Sequence, residues 1–187
     1  FDMVRQAMGA KYDPKPLERF LAESFGDLKL SETANAVLAT AYDAERGEAL
    51  VMKNLGDGPD FLLRDVARAS SAAPTFFPAA RIREVPARAI GAKLASNSAS
   101  IMLAPERVLL DGGLFANNPA LCAYVEARRR FPGARRFQIV SLGTGSSAPK
   151  WDVDRIGRWG YLDWIDPSKG SPLFAMMSLA QSGSVDW

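Results

Sequence analysis

The chain contains no histidine and a single cysteine. Without imidazole, a hydrolase built on this sequence must give the work of proton acceptor to another side chain. One thiol excludes an internal disulfide framework, and the two shortages together argue against a zinc site. Cys122 falls within an apolar helical pattern, which reads as a packed thiol. Excess charge is also missing. The 23 basic and 21 acidic residues leave a net charge of +2, too little to argue for a nucleic-acid partner. No stretch approaches the ~18 apolar residues of a membrane span, and no signal peptide is visible. The sequence shows neither internal repeats nor low-complexity segments.

What is present is the material of a core. Apolar residues make up 48% of the 187, which excludes a disordered chain. The length suits one domain or a large piece of one. Phe1 is not a natural start, and Ser184-Val185-Asp186-Trp187 continue a helical pattern without a stop. The chain is therefore expected to be a piece of a longer protein. The lack of disulfides fits a cytoplasmic setting with peripheral access to membranes.

Leu17, Phe20, Leu21 and Phe25 recur at helical spacing behind Pro14 and Pro16, which predicts a helix over residues 16–25. Residues 35–42 read as a buried strand. Asp43-Ala44-Glu45-Arg46-Gly47 reads as a turn whose glycine supplies a positive φ, and residues 48–53 return as the second strand of a hairpin. A helix is expected over 62–69, stopped by Pro74 and Pro78. Residues 81–107 suggest an excursion with a short strand, and residues 108–110 a compact central strand. Asn118 is expected to cap a helix with Pro119 in its first turn and Leu121, Cys122, Tyr124 and Val125 on its inner face. Pro132-Gly133 ends it. Residues 137–142 read as another buried strand, and Ser171-Pro172 opens a last helix through Phe174, Met177 and Leu179. The strand–helix–strand order over 108–142 predicts a βαβ crossover in a layered α/β domain.

Residues 146–151 form the expected flexible connection to a tail holding Trp151, Trp159, Trp164 and Trp187. Those rings either pack on the domain or sit at a membrane interface. Arg128-Arg129-Arg130 and Arg135-Arg136 fit a helix C-terminus followed by a solvated turn, with anionic lipid headgroups as the alternative partner.

Chemistry concentrates in Val108-Leu109-Leu110-Asp111-Gly112-Gly113-Leu114-Phe115-Ala116-Asn117-Asn118-Pro119. A short apolar run delivers one carboxylate onto two glycines just before a helix. In an open α/β sheet the carboxyl ends of strands face the ligand crevice. Gly112 and Gly113 keep side chains away from Asp111 and permit unusual backbone angles. The helix start near Asn118 projects free N–H groups. On spacing alone, a tight structural turn stands beside the catalytic reading. Asn117 and Asn118 read as loop-fixing and capping residues that position Asp111 indirectly. Ser70-Ser71-Ala72-Ala73-Pro74 reads as close packing beside the sheet rather than a second nucleophile. Gly143-Thr144-Gly145 lacks the lysine and spacing of a nucleotide loop and reads as a strand-ending turn.

Three segments in this order resemble the patatin-like phospholipase family, in its bacterial form. They are Ala67-Arg68-Ala69-Ser70-Ser71-Ala72-Ala73-Pro74-Thr75-Phe76-Phe77-Pro78, then Leu110-Asp111-Gly112-Gly113-Leu114-Phe115-Ala116-Asn117-Asn118-Pro119-Ala120, then Val140-Ser141-Leu142-Gly143-Thr144-Gly145. The hairpin over 37–53 and the tail over 159–187 fit as well, so residues 1–187 resemble the C-terminal part of one catalytic domain. The resemblance implies a layered α/β/α fold with a mainly parallel central sheet. It implies a serine–aspartate dyad, with the serine in a Gly-x-Ser-x-Gly elbow and an upstream glycine-rich segment donating N–H groups to the oxyanion. Asp111 matches the aspartate, as proton acceptor, with Gly112, Gly113 and Asn118 supporting it. Glycerophospholipids or lysophospholipids are the implied substrates, with peripheral membrane contact and no metal or organic cofactor.

The sequence departs from that pattern at the nucleophile. No serine here has glycine two residues before and two residues after it; Ser147 has only Gly145, and Ser24 only Gly26. Both upstream elements are expected in a missing N-terminal segment of the same protein, and the 187 residues alone are expected not to hydrolyse esters. A non-catalytic lipid-binding or regulatory domain is the competing reading, and a nucleotide-binding α/β domain a third.

Overall fold

The computed structural model describes residues 9–56, 58–85, 104–143, 145, 152–166, 168 and 170–185. The chain divides into two compact units, Phe1–Phe115 and Ala116–Trp187.

The first unit opens with helix α1 (Lys15–Phe25). Proline sits in its first turn, where the missing N–H costs nothing. Gly26 ends it at φ 53 while its N–H reaches back to the Ala22 carbonyl. A 3₁₀ turn, Leu30–Glu32, precedes strands β1 (Leu38–Asp43) and β2 (Glu48–Lys53). Helix α2 (Leu63–Ser70) leads to β3 (Ala80–Arg83), and β4 (Glu106–Asp111) follows.

The hairpin is as the sequence predicts. Asp43 Oδ1 accepts the Glu45 and Arg46 N–H groups, both at 3.1 Å. Gly47 turns the chain at φ 68. β1 and β2 then pair antiparallel from Leu38↔Lys53 to Asp43↔Glu48.

The sheet order is β2-β1-β4-β3. Every described pairing is antiparallel, with β4 between β1 (Ala41↔Asp111) and β3 (Ala80↔Leu109). The expected mainly parallel sheet is therefore not what the described residues form. A short turn sets the antiparallel sense of β1 and β2, whereas β4 pairs with strands distant in sequence.

Leu30, Ala41, Met52, Phe61, Val66, Ala69, Ala72, Ala80, Ile82 and Leu109 form the core. Alanine at 41, 69, 72 and 80 lets α2 approach the strands closely, and larger side chains fill the space around them.

A buried ion network locks one end of this sheet. Arg107 on β4 donates from Nη1 to Asp43 Oδ2 at 3.0 Å and from Nε to Glu84 Oε1 at 2.7 Å. Asp43 is only 1% exposed.

Helix α3 (Gly113–Ala116) follows β4 directly. The second unit then contains α4 (Ala120–Arg130), α5 (Val153–Ile156), α6 (Tyr161–Ile165) and α7 (Pro172–Gly183). Arg128, Arg129 and Arg130 occupy the last turn of α4, where cations suit the helix dipole. α6 packs on α7, and Trp159 meets Trp164 edge to face at 5.1 Å.

Two expectations fail in this unit. Residues 137–142 form no strand among the described residues, and Val140 and Leu142 are 71% and 90% exposed. Their composition suits a sheet, but a strand exists only where another edge supplies its hydrogen bonds. The βαβ crossover predicted over 108–142 is accordingly absent. The predicted inner face of α4 is also wrong in part. Leu121 and Val125 are exposed, while Tyr124 packs edge-on against Phe137 at 5.6 Å. The expected connection at 146–151, Thr144, Trp151, Trp187 and most of the 81–107 excursion lie outside the described residues.

Candidate functional site

Asp111 closes β4, so the central-strand placement expected of it is met. Residues 107, 109 and 111 alternate onto one face of the strand, and Leu109 on that face is fully buried. Three backbone contacts fix the residue. It pairs with Ala41 on β1. Its N–H donates to the Ala72 carbonyl at 3.0 Å. Its Oδ1 accepts the Gly113 N–H at 2.7 Å, at the first turn of α3.

The carboxyl is half-buried and enters no ion pair among the described residues. Burial pushes its pKa above the ordinary carboxylate range, and the Gly113 hydrogen bond offsets this only in part. Such a group is a stronger base than a solvated aspartate. Oδ1 is engaged by Gly113, and Oδ2 has no hydrogen bond among the described residues.

The structure gives a more specific reason for Gly112 than the sequence suggested. Gly112 does not adopt a left-handed conformation. It is needed for space, because a Cβ there would collide with the Thr40 carbonyl and hydroxyl on β1. Gly113 contributes the N–H that holds Asp111. Gly112→Ala is therefore expected to destabilise the first unit by about 3 kcal/mol, since the obstacle is backbone rather than a movable side-chain tip. Urea unfolding followed by far-UV circular dichroism measures this; a loss below about 1 kcal/mol would mean that β1 yields easily.

Ser70-Ser71-Ala72-Ala73-Pro74 acts through packing. Ala72 is fully buried and supplies the carbonyl that receives the Asp111 N–H. Ser71 Oγ donates back to the Ala67 carbonyl at 2.8 Å, which ties down its hydroxyl. Sequence reasoning missed Thr40 and Ala72 as neighbours of the motif. The paired glycines were the available signal, since a glycine on a central strand implies close backbone approach.

Asn117 and Asn118 belong to the second unit. Asn117 Nδ2 donates to the Ser178 carbonyl at 3.2 Å and Ser182 Oγ at 2.7 Å, which anchors α7. Asn118 Oδ1 accepts the Ala120 N–H at 3.1 Å. Its capping role holds, although Pro119 occupies the formal cap position.

No group of three metal-binding side chains occurs among the described residues, and no described helix is long and apolar enough to cross a membrane. A cleft of about 440 Å³ lies in the first unit, between α1, α2 and β3, and Asp111 is not part of its lining.

The first two of the three segments that carry the resemblance lie within the span of a matching family model. A family model described as patatin-like phospholipase matches residues 4–124. Patatin-like protein 2 of Arabidopsis thaliana is 30% identical, over 99% of this chain and 47% of that protein. Patatin-like protein 3 of Arabidopsis thaliana is 28% identical, over 99% and 44%. A potato protein, "Probable inactive patatin-3-Kuras 1" of Solanum tuberosum, is 26% identical, over 95% and 47%. The chain spans about half the length of these curated relatives. They are plant proteins and give no support to the bacterial form expected from the sequence. The chain belongs to the patatin-like phospholipase family.

Proposed function

We propose that this chain carries the proton-accepting half of a lipid acyl hydrolase of phospholipase A or lysophospholipase type. One observation carries the reading above the others. Asp111 is a half-buried carboxylate at the end of a central strand, without an ion-pair partner among the described residues, held by main-chain groups and shifted toward basicity. The chain has no imidazole to compete for that role.

In this reading a serine supplied by polypeptide beyond these 187 residues attacks the ester carbonyl. Its proton passes to Oδ2 of Asp111. Backbone N–H groups hold the oxyanion, an effect worth about 3–4 kcal/mol per donor. The protonated Asp111 then returns the proton to the departing alcohol. Asp111 next takes a proton from water as the water attacks the acyl-enzyme, and the serine leaves with that proton. These steps draw on protein groups alone. The reading also includes the layered α/β/α domain, of which residues 1–187 are the C-terminal part, with Gly112, Gly113 and Asn118 shaping the Asp111 loop. Peripheral contact with the membrane gives it access to phospholipid or lysophospholipid.

The alternative is a non-catalytic lipid-binding domain. One relative is itself named as probably inactive. Upstream extension of the chain separates the two. A longer protein with a Gly-x-Ser-x-Gly serine is expected to release fatty acid from phospholipid and to be labelled at that serine by an organophosphorus ester. The 187 residues alone are expected to do neither. A longer protein that binds lipid but contains no such serine would establish the alternative.

A further inference from the structure

The cleft between α1, α2 and β3 contains charges of both signs: Glu18, Asp65, Arg64, Arg68 and Arg81. Two of them have polar capacity that the fold does not use.

The Arg68 side chain is 7% exposed. Its Nε donates to Glu18 Oε1 at 3.1 Å, and its Nη2 to the Pro78 carbonyl at 2.9 Å. The Phe77 ring lies 5.6 Å from Cζ. Nη1 is buried and has no acceptor among the described residues. A guanidinium is a rigid fork of five donors, and a buried donor without a partner is a rare and costly arrangement.

Asp65 is the complementary case. Among the described residues its carboxyl's polar contact is the Arg64 Nε at 3.9 Å, beyond hydrogen-bond reach. Burial pushes its carboxyl up, Arg64 pulls it down and the Glu18 charge pushes it up again, for a net rise. Arg64 is held elsewhere, donating to Asp27 Oδ1 at 2.6 Å and the Gly26 carbonyl at 2.8 Å. Arg81 likewise donates to Glu106 at 2.8 Å.

A simple anion entering this cleft meets the charges of Glu18 and Asp65. A simple cation meets three guanidinium groups. A molecule carrying both charges gives Asp65 a donor and Arg68 an acceptor at once. We propose that the cleft binds a small zwitterion, with its ammonium on Asp65 and its acidic oxygens on Arg68. The volume of about 440 Å³ is in the range of small-molecule sites. Nη1 is sealed from solvent, so the acid group must open the wall. Glu18 grips the Nε edge and has a 49% exposed side chain, so an acid group that displaces it reaches the guanidinium along that edge. Ethanolamine phosphate has this chemistry, either free or as a phospholipid headgroup. Nothing in the proposal draws on Asp111 or on ester hydrolysis.

Calorimetric titration of the 187-residue chain tests it, with O-phosphoethanolamine, inorganic phosphate and ethanolamine as separate probes. O-phosphoethanolamine is expected to bind at least about tenfold more tightly than either single-charge probe. Asp65→Asn keeps the side-chain size and is expected to erase that preference, weakening O-phosphoethanolamine binding and leaving phosphate binding as strong or stronger. Arg68→Lys, checked for folding by circular dichroism, is expected to weaken both acidic probes. Vesicles of phosphatidylethanolamine distinguish the two sources. Vesicle binding that free O-phosphoethanolamine competes away assigns the lipid headgroup, and binding of the free molecule alone assigns a soluble ligand. The proposal is overturned by equal affinity for phosphate and O-phosphoethanolamine, by no heat with O-phosphoethanolamine, or by an Asp65→Asn variant that binds like the parent. Vesicle binding that the free molecule does not compete away also counts against it.

Discussion

Asp111→Asn is expected to cut ester hydrolysis by about a thousandfold or more in the protein carrying the elbow serine, while the sheet stays folded. The substitution keeps the shape and one acceptor. The Asn carbonyl can still take the Gly113 N–H that Asp111 Oδ1 takes at 2.7 Å. The link to the Ala72 carbonyl and the pairing with Ala41 are main-chain and unaffected. What disappears is the oxygen able to become protonated. Stability should move the other way. The folded pKa of Asp111 is raised by burial, so the folded state favours the protonated acid more than the unfolded chain does. That is a cost, fully present above the folded pKa and fading as pH falls toward the unfolded value of about 3.9. At neutral pH the Asn variant should therefore unfold at equal or higher urea concentration than the parent. The advantage should shrink on acidification. Retained turnover would remove Asp111 from the mechanism. Lost turnover together with lost amide-exchange protection in β1 and β4 would make its role structural.

The parts of this fold legible in the sequence are those specified over short distances. The hairpin was readable because Asp43 and Gly47 supply local turn chemistry. α1 and α2 were readable within a residue because proline and apolar spacing mark them. Strand direction was not readable, since pairing is a choice between partners far apart in the chain. Residues 137–142 show the same limit: Ile139, Val140 and Leu142 have strand composition but no described edge to pair with. At the candidate site, Asp111 and its glycines stood out, whereas Thr40 beneath Gly112 is a tertiary fact. Arg68 and Asp65 carried no signal, because three residues apart on a helix they look like a solvated charged face. Arg107 did leave one. It shares the alternation of Leu109 and Asp111, so a charge on that buried face required a buried partner.

That partner makes Arg107→Met the substitution with the largest expected effect on stability, a loss of about 3–5 kcal/mol. Arg107 bridges two acids from different parts of the chain: Asp43 at the end of β1 and Glu84 just after β3. Removing it leaves Asp43, 1% exposed, with its turn N–H groups but without its main counter-charge. Arg107→Lys keeps the charge but cannot fork between both carboxylates, so an intermediate loss is expected. Adding Asp43→Asn to Arg107→Met should recover part of the loss, because it removes the stranded charge. Acid should reproduce the weakness in the unmodified chain. Burial pushes the Asp43 carboxyl up, but hydrogen bonds from the Arg46 N–H, the Arg107 guanidinium and the Glu45 N–H outweigh it and hold the pKa below the ordinary value. A depressed carboxylate contributes stability that is present above the unfolded pKa of about 3.9 and lost as pH falls through the folded one. The acid-sensitive step should therefore lie below about pH 4 and vanish in the double variant. Tryptophan fluorescence is the wrong probe, since all four tryptophans lie at 151 or beyond, outside the sheet's unit. Amide exchange at Ala41, Tyr42 and Leu110, where β1 meets β4, reports the event directly. Unchanged protection there in Arg107→Met would show that the apolar core alone, centred on Leu109 and Phe61, holds these strands together.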